Sequence, residues 1–361
     1  MSKNWSEQQK AIFGEFKTGR SNVVVRARAG TGKTTTILEA ISYAPEERIL
    51  LAAFNKKIAE ELKTKLTNGK AEAKTLHSVG FALVVRNWRG VKLDDKRGGK
   101  LARVAADACA RTLASNALAP DAAVNLVAKL AAKGKNALPF PSLNGMVDLA
   151  YHFDLTPEEA LEDAGWTVDI VASAAIKAME LATKFDGTLD FDDMVYVPVA
   201  NKWVRGVYDL VVIDEAQDMN ASQLLLAQGV CKKGGRVVVV GDDHQAIYGF
   251  RGADAGSLDR LKAELNAVEL GLTITYRCPK AVVALAQELV PDYLAAPTAP
   301  EGEISTIDFS KLHENAVVGD FVLSRKNAPL ARVCLRLLRN GIRARIEGRD
   351  IGATWSRSFA T

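Results

Sequence analysis

Ala27-Arg-Ala-Gly-Thr-Gly-Lys-Thr-Thr-Thr36 decides the fold, because a β-branched run precedes it and a helical pattern follows it. Asn22-Val-Val-Val25 reads as a buried strand, and Thr34 to Tyr43 as a helix. Between them, Gly30 and Gly32 permit a tight turn whose backbone N–H groups face inward, and the helix N-terminus adds its partial positive charge. Such a turn cradles phosphates. Lys33 is placed to reach the β- and γ-phosphates of a nucleoside triphosphate, and the Thr34 hydroxyl to ligate Mg²⁺. Ala29, Gly30, Thr31, Gly32 and Thr35 complete the expected cradle. The general pattern asks for Gly where Ala27 stands, so the match is not perfect.

A second element, Leu210-Val-Val-Ile-Asp-Glu-Ala-Gln-Asp218, is an apolar strand that ends in carboxylates. Delivered beside a phosphate loop, Asp214 would hold Mg²⁺ through its water shell, while Glu215 would orient or deprotonate an attacking water. A third strand, Arg236-Val-Val-Val-Val-Gly241, leads into Asp242-Asp-His-Gln-Ala-Ile-Tyr-Gly-Phe-Arg-Gly-Ala253. Gln245 sits just past its end, where a polar side chain could sense the γ-phosphate.

Composition bounds the class. The chain has 361 residues, 48% hydrophobic and 25% charged, enough for a sizeable core and two or three domains rather than a disordered segment. The four cysteines, at 109, 231, 278 and 334, form no CxxC pair, so reduced thiols are expected rather than a zinc ribbon, disulfide framework or iron–sulfur cluster. The N-terminal MSKNWSEQQK has no apolar core of the signal-peptide kind, and no apolar run reaches membrane-spanning length, so the cytoplasm is the expected compartment. A net charge of +4 permits nucleic-acid binding without demanding it. From Val85 to Ala150, eleven Lys or Arg face five Asp, a local excess open to two readings: a solvated helical face or a nucleic-acid surface.

The segments AxAGTGKT, VVIDEAQD, GDDHQAIYGFRGA and LTITYRCP, in this order, resemble the motifs of superfamily 1 DNA helicases of the UvrD/Rep/PcrA type. Glu7-Gln8 with Ala11-Ile12 is similar to the adenine-reading glutamine motif of that family. Leu51-Ala-Ala-Phe-Asn-Lys-Lys-Ile-Ala59 and Thr75-Leu-His-Ser78 resemble its DNA-contacting segments, and Phe191-Asp-Asp-Met194 a further signature. The resemblance spans roughly residues 4–350.

It implies roles residue by residue. Gln8 would meet the adenine edge and Tyr276 would stack on its ring. Arg277 would reach the γ-phosphate, and Gln245 would couple that phosphate to the DNA groove. Phe54, Tyr248, Phe250 and Arg251 would line the single-stranded DNA path, with Thr75 and His77 near its backbone. Flat rings suit a sequence-blind translocase, since every base has a π-face. The family more often has Trp where Phe250 stands. The resemblance also moves the basic cluster of 85–150 toward DNA contact.

The expected fold class is α/β: a P-loop NTPase with a RecA-like parallel-sheet core, a helical insertion and a partial second RecA-like domain. Residues 1–84 with 186–270 would form the first core, and 85–185 a helical, basic insertion. Ala102 to Leu118, Ala122 to Ala132 and Thr167 to Lys184 have helical spacing there, broken by Pro120, Pro139 and Pro141. Residues 271–361 would form the partial second core. In it, Ala316 to Leu323 with the turn Ser324 to Leu330, and Ile342 to Gly348 with the loop Arg349 to Gly352, resemble strands and the loops after them. Only 85 residues follow Tyr276, whereas a complete domain of this kind needs roughly 150. The last two family motifs are missing, including an arginine worth about 10³ to 10⁵ in rate, and a shortened chain is the expectation.

The function implied by the resemblance is an ATP-dependent 3′-to-5′ single-stranded DNA translocase and DNA helicase in DNA repair or replication. It would use ATP and Mg²⁺ and act on single-stranded and duplex DNA as a monomer, away from membranes. The alternative is an ATP-regulated single-stranded DNA-binding protein without unwinding activity. An unrelated phosphate-loop ATPase has no use for the aromatics at 54 and 250.

Overall fold

The computed structural model describes residues 4–66, 69–114, 117–245 and 257–346. Helix α1 (Glu7–Thr18) is started by a reciprocal capping box between Ser6 and Gln9, and turns Ile12, Phe13 and Phe16 inward. Next come β1 (Val23–Ala27), α2 (Lys33–Tyr43), β2 (Ile49–Ala53), α3 (Lys56–Lys65), β3 (Ala71–Thr75) and α4 (Leu76–Asn87). The insertion holds β4 (Lys92–Leu93), α5 (Arg97–Leu113), α6 (Asp121–Ala137), α7 (Leu143–His152), α8 (Glu159–Asp163), α9 (Val168–Ala182) and β5 (Thr188–Leu189). The chain then returns through α10 (Asp193–Ala200), β6 (Tyr208–Ile213), α11 (Ala221–Gly229), β7 (Cys231–Gly241), α12 (Ser257–Leu265) and β8 (Val268–Leu272). Short elements follow: β9 (Ile274–Thr275), α13 (Lys280–Ala286) and β10 (Leu294–Ala295).

Six strands form one parallel sheet in the order β3-β2-β6-β7-β1-β8. Its central strands read as unbroken apolar runs because helices cover both faces. Val23 and Val25 pack with Ile37, Leu51, Val212 and Val240 on one face. Val24 packs with Leu50, Val211, Val239 and Leu226 on the other. The order puts the carboxyl ends of β6, β7, β1 and β8 along one edge, the place where open α/β sheets bind ligands. Strand β8 pairs with β1 from Val23↔Val268 to Ala27↔Leu272, so this sheet runs through Leu272.

The insertion has its own core. Alanines of α5, α6 and α9, such as Ala102, Ala106, Ala123, Ala131, Ala175 and Ala178, let these helices pack closely around Leu130, Met146, Trp166 and Met179. The pair β4–β5 joins its two ends. Two of the eleven basic residues counted between Val85 and Ala150, Arg97 and Lys135, are buried there, so they pair with carboxylates rather than face solvent. Arg97 pairs with Asp193 and Asp186, and Lys135 Nζ lies 2.6 Å from Asp193 and 3.0 Å from Asp190. Lys100 pairs with Asp94, and Arg103 with Asp107 and Asp121. Charge counted along the sequence did not reveal that acidic partners, three of them beyond Ala150, neutralise part of it.

Two compact units emerge, Met1–Glu301 and Gly302–Thr361. The second contains α14 (Leu312–Asn315) and α15 (Asn327–Arg339), which buries Val333 and Leu337. The strands expected over Ala316–Leu323 and from Ile342 are absent among its described residues: both segments are irregular, and Val317, Val318, Phe321 and Leu323 are exposed. A strand needs a neighbour to satisfy its N–H and C=O groups, and no strand lies within the described part of this unit. The expected loop Arg349 to Gly352 and tail 353–361 lie outside the described residues. Among the described residues, no helix is long and apolar enough to cross a membrane, and the four cysteines are free thiols.

Candidate functional site

The phosphate loop leaves β1 at Ala27 and enters α2 at Lys33, with Gly30 at φ 69° and Gly32 at φ 78°, both in the left-handed region. Gly30 also has no room for a side chain: a Cβ there would lie 2.6 Å from both the Arg277 Cβ and the Thr275 hydroxyl. Tyr276 N–H donates to the Gly30 carbonyl (3.0 Å). The 272–277 segment therefore lies against the loop, and it brings Arg277 beside it.

Lys33 Nζ meets Glu215 Oε2 at 2.6 Å, which joins the loop to the end of β6. Glu215 has φ 52° and ψ 46°, an unusual conformation for a residue with a side chain, and its carboxylate also accepts from Gln217 Nε2 (2.8 Å). The backbone strain lies at the residue expected to handle water. Asp214 is almost wholly buried. Burial and the neighbouring Glu215 charge push its carboxyl up to about 6, against the pull of Lys33 and the Glu215 N–H. The Thr34 hydroxyl, in the first turn of α2, and this carboxylate are hard oxygen donors of the kind Mg²⁺ takes. A carboxylate so poorly solvated has much to gain from a cation beside it.

At the end of β7, Gln245 Nε2 donates to Asp242 Oδ2 (2.5 Å), while Asp242 N–H donates to Gln217 Oε1 (3.1 Å). Asp243 lies between Arg26 and Arg28; burial opposes its charge, but the two guanidinium groups hold its carboxyl below the usual range. Gln8, expected at the adenine edge, has both amide atoms on Thr273: Nε2 donates to its hydroxyl (2.9 Å), and Oε1 accepts from its N–H (3.0 Å). Its neighbour Gln9 is the buried one, and donates to Thr36 Oγ1 of α2 (2.9 Å). Tyr276 leaves its ring half exposed, open to a stacking partner.

The residues expected on DNA fall into two groups. Phe54 is half-buried just past β2. The Thr75 hydroxyl accepts from Ser78 N–H and caps α4, so it has a structural task. His77 stacks on Phe191, with ring centroids 4.0 Å apart and planes 21° from parallel. Tyr248, Phe250 and Arg251 lie outside the described residues.

Sequence reasoning passed over several participants. Gln217 and Phe191 stand inside segments already singled out, and their side chains could have been weighed there. Arg28 is inside the loop itself. Asp292 and Tyr293, which reach the loop from near β10, carry no local signal.

The family model for the UvrD/REP helicase N-terminal domain matches residues 5–266. The chain is 24% identical over 316 residues to an ATP-dependent DNA helicase PcrA of Staphylococcus epidermidis, covering 79% of this chain and 39% of the relative. It is 27% identical over 309 residues to an ATP-dependent DNA helicase PcrA of Bacillus subtilis, covering 78% and 39%. It is also 27% identical over 290 residues to a probable DNA helicase II homolog of Mycoplasma capricolum, covering 74% and 38%. The chain thus spans about two fifths of the length of these curated relatives.

Proposed function

The chain belongs to the UvrD/REP helicase family, and from that membership we propose that it binds ATP at the Ala27–Thr36 loop and hydrolyses it to drive movement along single-stranded DNA. One observation carries this reading. The Lys33–Glu215 pair, 2.6 Å long, supports it, since the two residues expected to reach the phosphates and to handle the water are side by side. Lys33, the loop amides and Arg277 would hold the β- and γ-phosphates, and Thr34 and Asp214 would hold Mg²⁺. When bound, the metal supplies charge for the developing phosphoryl oxygens. Glu215 would take or orient the water, and Gln245 would sense the γ-phosphate. Tyr276 would stack on adenine, with Gln8 turning from Thr273 to the base edge.

For DNA, the exposed Phe191 ring, backed by His77, offers a flat face of the kind a base stacks on. Phe54, Tyr248, Phe250 and Arg251 would extend that path, and unwinding would run 3′ to 5′, as the family resemblance implies. The basic insertion of 85–185 and a partial second RecA-like domain over 271–361 belong to the same proposal, as do a monomeric state and a cytoplasmic site of action.

The test is an ATPase assay with Mg²⁺, with and without single-stranded DNA. Turnover above a Lys33→Ala control, raised by DNA, is expected; none above that control defeats the motor reading. A second reading, ATP-regulated binding of single strands without unwinding, draws on the second unit, whose described residues form no strand. DNA affinity that changes with nucleotide while a fluorescent duplex stays unopened would favour it.

A further inference from the structure

Arg28 is a buried cation placed where a phosphate loop begins. Its exposure is 7%, a position that an uncompensated charge cannot occupy cheaply. Three carboxylates compensate it. Nη1 donates to Asp242 Oδ1 (3.1 Å) and Asp243 Oδ1 (2.9 Å). Nε and Nη2 engage Asp292 at 3.1 to 3.2 Å in a two-pronged arrangement that a lysine could not copy.

These partners are not interchangeable supports. The other oxygen of Asp242 accepts from Gln245 Nε2 (2.5 Å), so a single carboxylate stands between Arg28 and the side chain assigned to the γ-phosphate. On the opposite side, Asp292 is followed by Tyr293, whose hydroxyl donates to the Ala29 carbonyl (2.9 Å). Across a trans peptide, the C=O and the next N–H point in opposite directions. Holding the Ala29 carbonyl on Tyr293 thus turns the Gly30 N–H the other way. The backbone adds one more tie, from Arg28 N–H to the Leu272 carbonyl (2.8 Å).

We infer that Arg28 is a positioning residue for ATP hydrolysis, which couples the phosphate loop to Gln245 through Asp242 and braces it against the Asp292–Tyr293 segment. It touches no phosphate itself. Its action is to make loop, sensor and brace shift as one piece, so that occupancy of the loop is felt at the end of β7. The inference rests on the assignment of this site to ATP.

Hydrogen exchange on the whole chain, with Mg²⁺ and a non-hydrolysable ATP analogue, reads the coupling without requiring turnover. In the unmodified protein, amides of 28–34 and of 241–245 gain protection together. In Arg28→Lys, the loop keeps its gain and the 241–245 gain falls to about a third or less. Equal protection of 241–245 in both proteins, or none there in the unmodified one, overturns the coupling.

Kinetics add a second readout. Arg28→Lys lowers kcat about tenfold or more while KM stays within about threefold, as expected for an interaction realised in the transition state. Adding Arg28→Lys to Gln245→Ala costs less than about twofold further, because the two act through one path; losses that multiply overturn the inference. Asp242→Asn, which keeps the side-chain size, repeats the exchange experiment should Arg28→Lys fold poorly, and must likewise lose the 241–245 gain. Absence of turnover in the unmodified protein defeats the ATPase reading, while the exchange result still decides the coupling.

Discussion

Lys33 and Glu215, 182 positions apart in the chain, are joined by a 2.6 Å ion pair between Nζ and Oε2. On the proposed roles, Glu215 holds the ammonium that would otherwise meet phosphate, so nucleotide entry would exchange this pair for contacts of Lys33 with phosphate. Glu215→Gln removes the charge that competes for Lys33 and the base in one change. ATP affinity should hold or rise, while kcat drops about 10²-fold or more, in the range of general-base contributions. Equilibrium binding and steady-state turnover check both, and equal loss of both would contradict the assignment.

Asp214 makes stability depend on pH in the metal-free protein. Its carboxyl rises from an ordinary 3.8 to about 6 on burial, so the folded state binds a proton that the unfolded state has released between those values. Ionisation then disfavours folding above pH 6 and costs nothing below about pH 4. At ~1.4 kcal/mol per pH unit, the full cost is on the order of 3 kcal/mol. Asp214→Asn should stabilise the chelator-treated protein at pH 7.5 and lose that advantage toward pH 4.5. Denaturant unfolding at the two values measures it, and an equal gain at both would count against a buried charge.

The insertion stands on buried ions rather than on apolar contacts alone. Removing one partner of such a pair leaves the others unpaired, at about 3–5 kcal/mol. Lys135→Met, which takes the ammonium away from Asp190 and leaves buried Asp193 with Arg97 as its one remaining cation of this cluster, should lower the urea midpoint sharply. Lys100→Met, at an exposed pair, should change the unfolding free energy by less than about 1 kcal/mol.

The His77–Phe191 stack sets the expectation for DNA. Phe191→Ala should weaken single-strand binding by about 1–3 kcal/mol, the value of one stacked base, and leave ATP affinity unchanged. Fluorescence anisotropy with a labelled oligonucleotide decides it. Affinity should also fall steeply with salt, because phosphate contacts by Lys and Arg release counterions.

Much of this arrangement was legible along the chain. The strand, loop and helix over 22–43, the apolar strands ending at Asp214 and Gly241, and the helical character of the insertion all follow from apolar periodicity and glycine placement. Such signals are local, set by backbone sterics and by which face of an element is buried. The strands expected after 315 failed for the complementary reason: a β-branched run specifies extended backbone, and a sheet also requires neighbours.

The sequence by itself thus determined that a glycine turn between strand and helix, a carboxylate pair at a strand end and a glutamine just past the next strand exist, because each is encoded within about ten consecutive residues. Only the tertiary structure decided how they are wired. Arg97 and Lys135 turned from surface cations into buried ones because Asp186, Asp190 and Asp193 arrive from a distant stretch of chain. Arg28 met Asp242 through the pairing of β1 with β7, while Gln8 met Thr273 just past β8 and Arg28 met Asp292 just before β10. Ion pairs and hydrogen bonds depend on distances of a few ångströms, and those distances exist only once the sheet has brought remote segments side by side.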